Sequence, residues 1–322
     1  MTVALVLVGY AAVLAVAVPT ALRRGSWAAR APRLGITVWL ALSLSAVLAV
    51  VLAGAALAVP ATQLSADLGE LLRACVMALR AEYASPGGAL PAATGATVTL
   101  AVLGRLVCCA TAALLGAARE RRAHGDALAI VGRPVHRLGA VVVDHHTAAA
   151  YCLPGRARRI VLTSAAVVAL ADDELSAVLA HERAHLRGRH HLVLAGVQAF
   201  DRAFPGVPLF AEVRRQVTML VEMLADDAAA RHHQRHTVAA ALLRVAGARA
   251  PAAGLAAGGP TAVARVRRML APARPVSPAG RILVAAAVAA AVLLPVAVAA
   301  APAAAATRLD YCPVPPPSTS VR

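Results

Sequence analysis

The sequence predicts a mostly helical membrane protein: four transmembrane helices with an α+β domain between the third and fourth. Three observations predict it. Of 322 residues, 60% are apolar and 15% charged, and mean hydropathy is +0.70; a soluble domain is nearer half apolar and a quarter charged. Four stretches reach the roughly 20 mostly apolar residues that a bilayer crossing needs. The 32 basic residues, every one an arginine, outnumber 16 acidic ones, and they gather at particular ends of those stretches. This composition excludes a disordered chain, a disulfide-stapled secreted domain and an ordinary soluble enzyme.

Residues 3–22 form the first stretch. A signal-peptide core is the competing reading. No basic segment precedes the run, it is too long, and Arg23 and Arg24 follow, so a retained anchor fits better. Residues 36–59 carry no charge, residues 92–118 are interrupted only by Arg105, and residues 282–301 contain Pro295 but no charge. Arg23, Arg24, Arg30 and Arg33 lie between the first two stretches without an acid. Arg119, Arg121 and Arg122 follow the third, and Arg267, Arg268, Arg274 and Arg281 precede the fourth. The 60–91 loop is balanced by Asp67, Glu70 and Glu82. Positive-inside asymmetry then gives one consistent orientation in the cell membrane: both termini extracellular, residues 119–281 cytoplasmic, and a Pro-rich extracellular tail at 302–322. Two readings of Arg105 stay open, a coupling charge or an arginine turned into the helix bundle.

Residues 119–281 suffice for one core. Short apolar runs at 140–143, 148–153 and 160–162, with Pro154 and Gly155 between the last two, predict a small sheet. From Thr163 the period becomes helical. Asp172 or Asp173 is the expected N-cap of a helix carrying Leu175, Val178, Leu179 and Leu186, with Glu174 suiting its positive end. Further helices are expected at 209–231, 237–246 and 261–270, and a loop at 254–260.

Residues 181–185 read His-Glu-Arg-Ala-His. On a helix, positions i and i+4 project from one face, so both imidazoles can reach one Zn²⁺. Glu182 beside them can take a proton from attacking water, whose pKa zinc lowers to about 7. With this composition the pattern arises by chance in roughly one chain in a hundred, so its helical context matters. The alternative is an exposed helix with incidental histidines. A catalytic zinc takes three protein ligands, and the third candidate is Glu222, surrounded by Met219, Leu220, Val221, Met223 and Leu224. An unpaired carboxylate on so apolar a helix is costly; the alternative is a solvated charge. Asp226, one turn later, can accept the N–H of a ligating histidine, with Asp227 as competitor. His190 and His191 follow the pentad and are weaker candidates. His232 and His236, four residues apart, could hold a second metal, but with His233 they better suit a basic helix end, where one could donate to the oxyanion. His145 and His146 receive no role.

His181-Glu182-Arg183-Ala184-His185 followed by Glu222-Met223-Leu224-Ala225-Asp226 resembles the paired signature of gluzincin membrane proteases. The wider runs Arg159 to Ser164 and Asp173 to Glu182 are similar to the BlaR/MecR type, antibiotic-sensing membrane metallopeptidases. The resemblance implies a zincin-like domain between spans three and four and one zinc per chain on His181, His185 and Glu222. It also implies Glu182 as general base and cleavage of a cytoplasmic or membrane protein, for instance a transcriptional repressor. Sensors of that type carry a penicillin-binding domain after the last span; here only residues 302–322 follow, so β-lactam sensing is not implied. HtpX-like and CAAX-processing proteases share the metal motif and stand as the alternative.

A catalytically silent zinc-binding adaptor would not need Glu182. A nucleic-acid binder would want arginines interleaved with aromatics, and Tyr151, Phe200, Phe204 and Phe210 stand outside arginine runs. The expected partners are therefore a protein or peptide substrate and the lipid bilayer, with oligomeric state open. The topology places only Cys75 and Cys312 in an oxidising compartment, so a disulfide between them is expected if their Cα atoms come within about 7 Å.

Overall fold

A computed structural model of the chain describes residues 1–23, 25, 27–58, 89–155, 158–248, 259–272 and 275–309. The helices before the sheet are α1 (Thr2–Leu22), α2 (Trp27–Arg30), α3 (Pro32–Ala58) and α4 (Ala89–Val131). Strands β1 (Arg133–Val135), β2 (Ala140–Val143), β3 (Ala150–Leu153) and β4 (Arg159–Thr163) follow. Then come α5 (Ser164–Ala169), α6 (Asp172–Arg187), α7 (His190–Ala203), α8 (Pro208–Ala229), α9 (Arg235–Ala248), α10 (Gly259–Leu270) and α11 (Pro278–Leu309). Among the described residues, α1, α3, α4 and α11 are long and apolar enough to cross a membrane. Cys75 and Cys312 fall outside the described residues, as does most of the 60–91 loop. Cys108, Cys109 and Cys152 are free thiols.

Two helices outrun the apolar stretches that announced them. Helix α4 continues from 118 to Val131, 43 residues in all, or about 65 Å against a hydrocarbon core of about 30 Å. Hydropathy marks where lipid would end, but alanine and arginine keep the helix going because both are strong helix formers. It stops at Gly132, just before Pro134. Helix α11 likewise runs through Pro302 and the alanines after it to Leu309, so the first part of the expected tail is helical. Arg105 lies on an exposed part of α4.

By contact the chain divides into two compact units, one from residues 1–18, 41–105 and 285–322, the other from 19–40 and 106–284. In the first, Ala4, Leu7 and Ala11 of α1 pack with Ala49 and Ala53 of α3. Helices α3 and α4 cross at a pair of glycines: a Cβ on Gly54 would lie 2.8 Å from the Gly95 carbonyl oxygen, the close approach small residues give to membrane helices. Pro295 inside α11 lacks the N–H that would bond the Ala291 carbonyl one turn back. Tyr10 replaces that donor at 2.8 Å and Ser45 at 2.6 Å. Tyr10→Phe combined with Ser45→Ala should therefore cost about 1–2 kcal/mol. Adding Pro295→Ala, which returns the N–H, should recover most of it. Thermal unfolding in detergent decides, and no recovery would show that the carbonyl was not the reason.

The second unit holds a four-stranded sheet in the order β1-β2-β4-β3. β2 and β4 are parallel; β1 on β2 and β3 on β4 are antiparallel. Central β4 reads as an unbroken apolar run because Ile160, Val161 and Leu162 are all buried. Leu175 and Leu179 of α6 cover one face with Ala140 and Ala150. Pro134 is tolerated in β1 because that strand is an edge. β3 is the other edge, and it begins at Ala150 rather than 148. The Thr163 N–H bonds the Ala149 carbonyl at 3.0 Å. On an antiparallel ladder with this parity, residues 149, 151 and 153 face β4, while Ala150 and Cys152 turn their backbone groups to the open side.

The N-cap of α6 differs from expectation. Ala171 occupies that position, Asp172 opens the helix, and the Glu174 carboxylate accepts the Ala171 N–H at 3.0 Å. One half of a capping box suffices here, with three acids at the positive helix end. β1, α5 and α7 had no separate place in the sequence reading. Residues 254–258 of the expected loop lie outside the described residues, and Gly259 and Pro260 open α10.

Candidate active site

The centre of the second unit lies where α6 meets α8. His181 and His185, one turn apart on α6, bring their Nε2 atoms to 3.1 Å. Glu222 of α8 reaches across with Oε2 3.6 Å from His181 Nε2 and Oε1 3.5 Å from His185 Nε2. Nitrogen and oxygen ligands at 2.0–2.1 Å on a tetrahedral zinc stand about 3.4 Å apart. The three donors therefore already have the mutual spacing of ligands on one ion, and the residues fit the metal.

Asp226, one turn along α8, is fully buried. Its Oδ1 lies 3.0 Å from His181 Nδ1, at charge-pair distance but without hydrogen-bond alignment. Asp227 turns away and pairs with Arg268 at 2.7 Å. His232 and His236 are exposed, and His145 and His146 stack on each other.

Three neighbours join the site that the sequence did not place there. Arg265 of α10 bonds both Asp226 oxygens, Nε at 2.8 Å and Nη2 at 2.7 Å, and its Nη1 lies 2.9 Å from Glu222 Oε2. One guanidinium thus holds the candidate ligand and the carboxylate behind His181 together. His190 is buried, and its Nδ1 lies 3.0 Å from His185 Nδ1. With His185 Nδ1–H donating and His190 Nδ1 accepting, the lone pair on His185 Nε2 is left for the centre. Gly188 and the left-handed Arg189 (φ 48°) turn α7 back so that this contact can form; a Cβ at Gly188 would collide with the His190 ring. Cys152 of edge strand β3 lines the same cleft as Glu182.

The charges are sorted by these contacts. Burial raises the Glu182 pKa, the shift a general base working near neutrality needs. Burial would raise Glu222 too, but His181 and Arg265 outweigh it and hold the carboxylate at about 2. Asp226 is held at about 2 in the same way, against burial, by Arg265 and His181. Burial lowers His185 to about 4, so its lone pair is free at neutral pH. Burial also pulls on His181, yet Asp226 and Glu222 hold it up at about 9. Burial and the Glu182 charge push the Cys152 thiol up to about 12.

The Asp226 and Glu222 carboxylates thus favour a protonated His181 in the metal-free protein, and that proton must leave for metal to bind. Metal affinity should rise about tenfold per pH unit from 6.5 toward 9, then level off. Calorimetry at pH 7 should show at least one proton released per metal ion, from His181 and in part from metal-bound water. Affinity independent of pH over that range would contradict the assigned charge state.

Glu182, His181, His185 and Glu222 line one cleft of about 350 Å³, with Ala150, Tyr151 and Cys152 of β3 along its rim. The arrangement can hold a cation, remove a proton beside it and receive an extended chain at the strand edge. Residues 122–205 match the family described as Peptidase family M48. That stretch contains β1 to β4, His181, Glu182, His185 and His190, and it ends before Glu222, Asp226 and Arg265. No curated protein and no solved structure matches the chain. The family match supports a zincin-type metallopeptidase, and with four apolar helices it fits a membrane-associated metalloprotease.

Proposed function

We propose that the protein is an integral membrane zinc metalloendopeptidase that hydrolyses peptide bonds of a cytoplasmic or membrane protein. The observation that carries this reading is the convergence of His181, His185 and Glu222 at 3.1–3.6 Å beside buried Glu182. Bound there, zinc would supply Lewis acidity, polarising a carbonyl and making water acidic enough to lose a proton near pH 7. Glu182 takes the proton of the attacking water and hands it to the leaving amine. Asp226 faces the outer nitrogen of His181 as a charge partner, His190 meets that of His185, and Arg265 holds Glu222. The domain faces the cytoplasm, and the resemblance to the BlaR/MecR type makes a transcriptional repressor the leading substrate class.

The substrate adds to β3 as a further strand, through the outward backbone groups of Ala150 and Cys152. Ala150→Pro removes one of those donors without breaking the ladder to β4. It should lower kcat/KM at least tenfold with metal content unchanged, and unchanged turnover would count against strand addition.

The functional test compares cells expressing wild type and Glu182→Gln for new N-termini in cytoplasmic and membrane proteins. Fragments of one regulator that depend on Glu182 support the signalling reading, whereas fragments from many membrane proteins indicate a housekeeping protease. Identical fragment sets would overturn proteolysis altogether.

A further inference from the structure

A second cleft, of about 410 Å³, lies at the C-terminal end of α6. Its mouth carries Arg33 from the first turn of α3, Arg187 from the last turn of α6 and Arg231 just beyond α8. Among the described residues none of these three guanidinium groups has a hydrogen bond or ion pair, and no acid lines the cleft. Ile36, Val193, Val221 and Leu224 give the lining apolar surface, and buried His190 also lines it. Three unpaired arginines would keep apart unless an anion joined them, and the apolar walls make a poor seat for a hydrated free ion. The cleft also adjoins the start of α3, one of the helices long and apolar enough to cross a membrane. In a chain whose α3 crosses the bilayer, phospholipid headgroups lie at the level of that helix end.

We propose that this cleft seats one anionic phospholipid, its phosphate among Arg33, Arg187 and Arg231 and the upper part of an acyl chain along Ile36, Val193 and Leu224. Arginine forks match phosphate oxygens in pairs. The seat touches the metal site through His190, which lines it and bonds His185. The lipid would thereby steady His190, and through it His185.

Full-length protein in detergent is titrated with phosphatidylglycerol and with phosphatidylcholine of the same acyl chains, and retained lipid is read by native mass spectrometry. One phosphatidylglycerol per chain should be retained in preference to phosphatidylcholine. Each arginine near an anionic headgroup contributes about 1 kcal/mol, or about fivefold in affinity. Arg33→Gln, Arg187→Gln and Arg231→Gln together should weaken retention about a hundredfold. The matching triple change to lysine keeps the charge and should hold most of it, so the test survives if the glutamine variant folds poorly. Equal retention of the two lipids, or equal retention by wild type and glutamine variant, overturns the proposal. Displacement of the lipid by an equal concentration of inorganic phosphate overturns it as well, because the seat would then be for a free anion. Lipid retention is read without turnover, so it stands or falls separately from the proteolytic reading.

Discussion

Arg265→Leu should lower stability by about 3–5 kcal/mol and strip the protein of metal. Asp226 is fully buried and owes its charge to the two bonds from Arg265 at 2.8 and 2.7 Å. Removing one partner of a buried pair leaves the other charge uncompensated, which costs more than the pair contributed. Asp226 would then take up a proton, and a neutral acid holds His181 less well. Glu222 would lose the contact that orients its second oxygen. The pH dependence carries the same sign. Both carboxyls are held at about 2 in the native protein. Their pairing thus contributes stability that is full above the ordinary carboxylate range and is lost as pH falls toward 2. In Arg265→Leu that loss should begin at higher pH. Adding Asp226→Asn should restore part of the stability, since the orphaned charge is gone, but not the metal. Urea midpoints at pH 7 and pH 4 measure the cycle. A loss below about 1 kcal/mol in Arg265→Leu would mean that the pair is not the strut described here.

Why was Arg265 missed, when Glu222 and Asp226 stood out? The two acids share a helix with the apolar positions that make them conspicuous, and their spacing is local. Arg265 shares α10 with Arg267 and Arg268; only the packing of α10 against α8 decides which guanidinium reaches Asp226 and which reaches Asp227. A buried carboxylate needs a cation, so the need was legible but the donor was not. His190 is a different case. It lies five residues past His185, where one continuous helix would carry it off the metal face; the turn at Gly188 and Arg189 brings it back. The pentad, by contrast, is a purely helical relation between i and i+4, and α6 keeps its phase throughout. The four apolar stretches were legible for the same local reason. Their ends were not, since helix propensity rather than hydropathy decides where α4 stops.

The second large effect separates metal binding from proton transfer. His181→Ala and His185→Ala should each leave the purified protein without its one zinc, because two remaining donors do not hold a catalytic ion. Glu182→Gln should keep the zinc and lose about 10²- to 10⁴-fold in turnover, the range for removing a general base. A third readout distinguishes this from damage to the fold. The Glu182 carboxyl is buried and its pKa is raised. A carboxyl raised on folding makes the native state less stable as pH climbs from the ordinary carboxylate value through the folded one. Metal-free wild type therefore carries a penalty at pH 7 that glutamine, with nearly the same shape and no charge, does not. Metal-free Glu182→Gln should be at least as stable as wild type at pH 7, with the gap closing as pH falls to about 4.5. An inactive variant that is more stable and still holds zinc is what a base buried for chemistry predicts. Zinc retained by both histidine variants, or Glu182→Gln turning over at the wild-type rate, would break the assignment.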